Sequence, residues 1–151
     1  MSASTSASHA GSFSSSWGRR AIAGLLGGLA GGVVFGMLMA MMGMFTTIAM
    51  MMGSTSPLVG VVVHLMISVV YGLVLTLFFA RFLHSYGRAS VAGLVYGVIL
   101  WVVGPLLIMP LMLGIPVFGF SAAVMMSLLG HVIYGVLLAL VAGRVLKTAK
   151  A

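Results

Sequence analysis

Long uncharged runs of apolar residues alternate with short polar punctuation along this chain. The first run covers residues 21–44, is rich in Met and can be followed to Met52. Three more cover residues 58–80, 89–113 and 121–143. A bilayer core needs about 20 apolar residues per helix, so the pattern predicts four membrane-spanning helices. The connections at 53–57 and 114–120 contain Gly, Pro, Ser and Thr and no charge, whereas the one at 81–88 is cationic. Pro105 and Pro110 fall inside the third run, where each removes a helical N–H donor. The expected fold is an all-α integral membrane four-helix bundle.

Charge then orients the bundle. The 151 residues include no Asp or Glu, and the seven cations occupy three places: Arg19 and Arg20, Arg81 and Arg88, and Arg144, Lys147 and Lys150. Cations prefer the cytoplasmic side of a membrane. Placing the N-terminus, the middle loop and the C-terminus inside satisfies all seven, so the expected topology is N-in/C-in. The domain reading is a Ser-rich polar tail at 1–20, a four-span domain at 21–147 and a basic tail at 148–151. The first tail has no apolar periodicity, which suits a flexible segment. Its Ser-rich, acid-free character also resembles an organellar transit peptide.

Composition narrows the chemistry. Hydrophobic residues make up 62% of the chain and charged ones 5%, against about 25% charged in soluble domains, so lipid is its solvent. There is no cysteine, which excludes disulfides and thiolate chemistry. Without carboxylates there is no acid–base pair and no hard-metal site. No triad, phosphate loop or HExxH motif occurs, so the chain is read as non-catalytic. No basic stripe interleaved with aromatics points to nucleic acid. The cations flanking the spans suit anionic lipids.

The two halves resemble each other, as two helical hairpins forming a parallel repeat. GVVFG at 32–36 aligns with GLVYG at 93–97 at a shift of 61, which also pairs Gly43 with Gly104, Met51 with Met112 and Gly53 with Gly114. A shift of 63 pairs Tyr71-Gly72 with Tyr134-Gly135 and Arg81 with Arg144. Small residues at four-residue spacing let helix backbones approach closely. Gly24, Gly28, Gly32 and Gly36 form such a stripe in the first run, and Gly93 and Gly97 in the third. Gly72 and Gly135 belong to matching stripes in the second and fourth. These faces are expected to pack helix on helix, within the bundle or against other membrane subunits or a second copy.

Polar side chains at membrane depth mark candidate sites. His64 with Ser68, and Ser127 with His131, form two polar pairs that exchange places under the shift of 63. One reading is a neutral imidazole hydrogen-bonded across a helix seam. The other is haem or chlorophyll ligation by His64 or His131; their one-turn offset disfavours a symmetric bis-His haem. The first run carries eight Met between Met37 and Met52. Thioethers suit Cu(I), so Met37 and Met41 are the candidates for a copper conduit or small permease. Packing is the alternative use of Met.

The segments HLMIS at 64–68, MPLMLGIPVF at 109–118 and Gly130-His131 followed by Arg144 resemble the YagU-like family of small bacterial inner-membrane proteins, over residues 60–146. The resemblance implies a multi-pass protein of the bacterial inner membrane; an organellar inner membrane is the alternative that the tail suggests. The chain lacks the acidic residues such proteins carry. The functional expectation is a non-catalytic accessory or structural subunit of a larger membrane complex, of respiratory or photosynthetic type. The alternatives are a haem- or chlorophyll-binding subunit and a copper conduit.

Overall fold

The structure is a computed structural model that describes residues 6–148, with side chains described from residue 16 onward. The described residues contain six helices: α1 (Ser6–Met41), α2 (Phe45–Met50), α3 (Pro57–Phe79), α4 (Tyr86–Val103), α5 (Met109–Leu113) and α6 (Ala122–Thr148). A 3-10 turn over Ala80–Leu83 continues α3, and a π-helical segment over Gly104–Ile108 joins α4 to α5. Four stretches are long and apolar enough to cross a membrane: Ser16–Met41, Pro57–Leu83, Tyr86–Leu113 and Ala122–Thr148. The expected all-α four-span bundle is therefore present. The helix boundaries differ from the apolar runs in instructive ways. Residues 6–20, read as a tail, continue α1 as helix, while residues 1–5 and 149–151 of the two expected tails lie outside the described residues.

Local chemistry sets the helix ends. Pro57 opens α3 behind an extended Ser56, because its locked φ suits the first helical position and its missing N–H costs nothing there. The hydroxyl of Ser85 accepts from the backbone N–H of Arg88 at 3.3 Å and caps α4. The first apolar run does not continue as one helix to Met52. Gly43 adopts φ +66°, a left-handed conformation open to Gly without a Cβ penalty. It turns the chain into α2, which folds back onto α3. At the other outer connection, Pro110 leaves the carbonyl of Leu106 without its helical donor. The backbone N–H of Phe118 donates to that carbonyl at 2.8 Å and ties the loop to the bundle.

Helix α1 is the centre of the bundle. It packs on α3 along one side and α6 along the other, and α4 packs on the far side of α6. In its most apolar window 44% of residues are buried, against 28% in each other span. Two glycine faces permit this double contact. Gly24, Gly28 and Gly32 meet α3, where a Cβ on Gly28 would lie 2.6 Å from the Ser68 carbonyl oxygen. Gly27 and Gly31 meet α6, 2.7 Å from the Leu138 oxygen and 2.8 Å from the Tyr134 oxygen on the same measure. The Gly stripes expected to pack within the bundle or against partners are thus occupied by helices of the same chain.

The two hairpins make like seams, but at a different alignment from the one the motifs suggest. A Cβ on Gly72 would overlap the Gly24 oxygen and reach Gly28, and one on Gly135 would overlap the Gly93 oxygen and reach Gly97. Gly24 and Gly28 therefore occupy the places of Gly93 and Gly97, a shift of 69 instead of 61. At that shift Arg19, Ala23 and Leu25 face Arg88, Ala92 and Leu94 in sequence. The shift of 61 survives only at the outer turns, where Gly53 and Gly114 both have positive φ, +70° and +67°. From Gly28 to Gly53 is 25 residues and from Gly97 to Gly114 is 17, so the first hairpin holds eight more. The turn at Gly43 and α2 accommodate them.

Candidate functional site

The helices α3 and α4 are not a closely packed pair. Their link is the Tyr96 hydroxyl, which donates to the Tyr71 carbonyl at 2.8 Å. Between them, in the half of the bundle away from the cations, lies a cavity of about 150 Å³. Its walls come from Phe35 and Met39 of α1, His64 and Tyr71 of α3, Leu100 to Met109 around the π segment, and Ser127 and His131 of α6. Met42, Met44, Ile48 and Met51 close the outer side. Met42 and Ile108 are both exposed, so the cavity reaches the surface at that rim. π-helical turns disturb the regular backbone ladder and recur at functional sites; here the turn runs along the cavity wall.

The polar seam residues settle mostly through backbone partners. The Ser68 hydroxyl donates to the His64 carbonyl at 2.8 Å, and the Ser127 hydroxyl to the Val124 carbonyl at 2.7 Å. Each Ser thus bonds within its own helix and leaves the imidazoles to find other partners. His64 Nε2 donates to the Gly32 carbonyl at 2.9 Å across the α1–α3 seam, the contact expected of a seam histidine. Close approach at Gly32 makes that carbonyl reachable. His131 Nδ1 donates to the Ser127 carbonyl at 2.7 Å within α6.

These bonds decide what the rings offer the cavity. A carbonyl oxygen only accepts, so Nε2 of His64 and Nδ1 of His131 carry the protons. As neutral imidazoles, each ring's second nitrogen is then a bare lone pair. For His131 this is Nε2, which makes no further hydrogen bond among the described residues and sits 4.0 Å from a Cβ placed on Gly104 of the cavity wall. The cavity is lined by apolar atoms, ring faces and thioethers, and its imidazole nitrogen accepts hydrogen bonds but cannot donate them.

Tetrapyrrole ligation does not fit this geometry. The Phe35 ring stands between the two imidazoles, with centroids 5.4 Å from His64 and 4.7 Å from His131, and rests on Gly130. A void of about 150 Å³ holds a molecule the size of benzene, far smaller than a macrocycle of four bridged pyrrole rings. The copper candidates also separate from the cavity. Met37 and Met41 are 60% and 85% exposed on the outside of α1, while Met39 is 6% exposed and faces inward. Among the described residues no group of three or more His, Cys, Asp or Glu gathers to hold a metal.

Several residues that carry the site were not among the candidate site residues. Trp101 donates from Nε1 to the Val124 carbonyl at 2.9 Å, and the buried Tyr134 donates to the Ser68 carbonyl at 2.6 Å. With Tyr96 they cross-link α3, α4 and α6. Each of these aromatics spends its polar tip on a carbonyl of a neighbouring helix. A buried Tyr or Trp generally requires such a partner, which is the signal that was available in the sequence. Comparison with protein-family models, curated proteins and solved structures finds no match to this chain.

Proposed function

We propose that this chain is a non-catalytic accessory protein of the bacterial inner membrane, N-in/C-in, that holds a small apolar molecule within the bilayer. Of the readings from sequence, that of the pure packing subunit loses its main support, because the glycine faces are already filled by the chain's own helices. The single observation that carries the new reading is the cavity beside His131, walled by all four spans and open at the Met42–Ile108 rim. Its dimensions suit one ring, and its thioethers make favourable contacts with ring edges. The bare Nε2 of His131 selects a ring that bears a hydroxyl donor. The like seams support a duplicated hairpin as the origin of this architecture, with the cavity at the gap between the two second-order neighbours α3 and α4.

The test uses thermal unfolding of the full chain in lipid nanodiscs with benzene, phenol and hydroquinone as probes. Benzene raises the midpoint of the native chain, because a ligand that binds only the folded state stabilises it. A Gly104→Leu substitution fills the cavity from its wall and abolishes the shift. Phenol and hydroquinone stabilise more than benzene does, and His131→Phe removes that excess. No shift with any ring, in a chain that otherwise unfolds cooperatively, would reject the reading.

A further inference from the structure

One side of the bundle is left unsealed. Gly72 of α3 faces α1, and Gly93 and Gly97 of α4 face α6, so the close glycine seams leave none between α3 and α4. The hydrogen bond from Tyr96 to the Tyr71 carbonyl joins these two helices one turn beyond Ile67, toward the cation-bearing end. Beside the gap, Ile67 and Tyr71 of α3 and Leu100 of α4 line the cavity. The adjoining Met66, Val70 and Ile99 are exposed, so the wall there is about one side chain thick and its outer surface is apolar. Ile67 is ten residues past Pro57, and His131 nine past Ala122, in spans of 27 residues each. Both therefore lie roughly 15 Å from the outer end of a span about 40 Å long. The hydrocarbon core is about 30 Å thick, so Ile67 borders acyl chains, whereas the Met42–Ile108 rim stands near the headgroups.

Resting on the reading that the cavity holds a hydroxyl-bearing ring, we propose that the occupant is a phenolic lipid. Its phenol or hydroquinone ring fills the cavity, and its hydrocarbon chain lies between α3 and α4. The void of about 150 Å³ holds one ring and leaves no room for a chain. A chain attached to a ring beside His131 has two ways out. Through the Met42–Ile108 rim it would place methylene groups among headgroups and water. Past Ile67 it stays in hydrocarbon and exposes no apolar area to water. Acyl chains are as apolar as the side chains flanking the gap, so a chain can occupy a seam that no helix closes. The hydroxyl also favours arrival from lipid. A donor that has already left water gains a full hydrogen bond at the bare Nε2 of His131, whereas a water-borne phenol must first give up its bonds to water.

The experiment compares hydroquinone with decylhydroquinone, both kept reduced with ascorbate, in thermal unfolding of the full chain in nanodiscs. Both raise the midpoint of the native chain, and Gly104→Leu abolishes both shifts. Ile67→Trp plugs the gap and weakens decylhydroquinone binding by about tenfold, the scale of an overpacked contact. Hydroquinone binds this variant as it binds the native chain, which shows that the cavity is intact. Met66→Trp, a like change at the exposed position next to Ile67, alters neither ligand. A decylhydroquinone shift that survives Gly104→Leu is a bilayer effect and overturns the lipid assignment. A native-chain shift with hydroquinone but none with decylhydroquinone overturns it too, as does decylhydroquinone binding unchanged by Ile67→Trp. Those three outcomes leave the ring site standing. No shift with benzene, phenol or hydroquinone removes the ring site, and this proposal with it.

Discussion

Gly24, Gly28, Gly32 and Gly36 look interchangeable as a stripe, yet adding one methyl group should give opposite results at two of them. At Gly28 the new Cβ would lie 2.6 Å from the Ser68 oxygen and 3.1 Å from the Val69 Cα. Both are backbone atoms that cannot rotate away. Restoring an ordinary 3.4 Å contact requires α1 and α3 to part by about 0.8 Å at that level, which also loosens the Gly24–Gly72 crossing one turn away. Overpacking of this kind costs about 1–3 kcal/mol, and the better helix propensity of Ala returns about 0.5–1 kcal/mol. At Gly36 the nearest atoms are the His64 ring at 3.5 Å and the Phe45 ring at 3.6 Å, ordinary contact distances, so the propensity gain remains. Gly28→Ala should therefore be about 2 kcal/mol less stable than Gly36→Ala, roughly a 30-fold difference in the unfolding equilibrium. Reversible unfolding in mixed micelles, with Gly18→Ala as a control that meets nothing within 4 Å, measures it. Equal destabilisation by Gly28→Ala and Gly36→Ala would refute the seam geometry.

Other outcomes follow from the same contacts. Tyr96→Phe removes the link from α4 to the Tyr71 carbonyl; it should cost about 0.5–1.5 kcal/mol and speed amide exchange in α4 more than in α1. Met39→Ala, inside the bundle, should destabilise by about 2 kcal/mol or more, while Met41→Ala on the exposed side of α1 should change stability by less than about 0.5 kcal/mol; the same unfolding assay compares them. Because the free nitrogen of His131 accepts and cannot donate, hydroquinone should bind more tightly than benzoquinone by about 3–10-fold, the factor one hydrogen bond supplies. Titration of both into nanodisc-held protein reads that ratio, and His131→Phe should bring it to near one.

How far the chain was legible depended on the range of the forces involved. The four apolar runs, the acid-free composition and the clustered cations already dictate helices that cross a bilayer, because hydropathy and backbone hydrogen bonding in lipid act on each segment independently. The Gly repeats likewise announce close helix contacts. The choice of neighbour was not visible. Gly27 and Gly31 form a second face of α1 toward α6, and only the docked helix α6 distinguishes them from the stripe one residue further on. The motif GVVFG at 32–36 matched GLVYG at 93–97 by local similarity, whereas the seams align Gly24 with Gly93, since the eight extra residues of the first hairpin are absorbed at the turn beyond. His64 and His131 were identifiable as costly groups, but their protonated nitrogens, and so the acceptor character of the cavity, depend on which carbonyls lie within 3 Å. Sequence determined that the chain spans the membrane and that its charge lies at the connections and ends, properties summed along each segment. Tertiary structure alone decided which faces meet, where packing fails to close and what a ligand would encounter there, because those depend on contacts between residues far apart in sequence, from 23 positions for Trp101 and Val124 to 138 − 27 = 111 for Gly27 and Leu138.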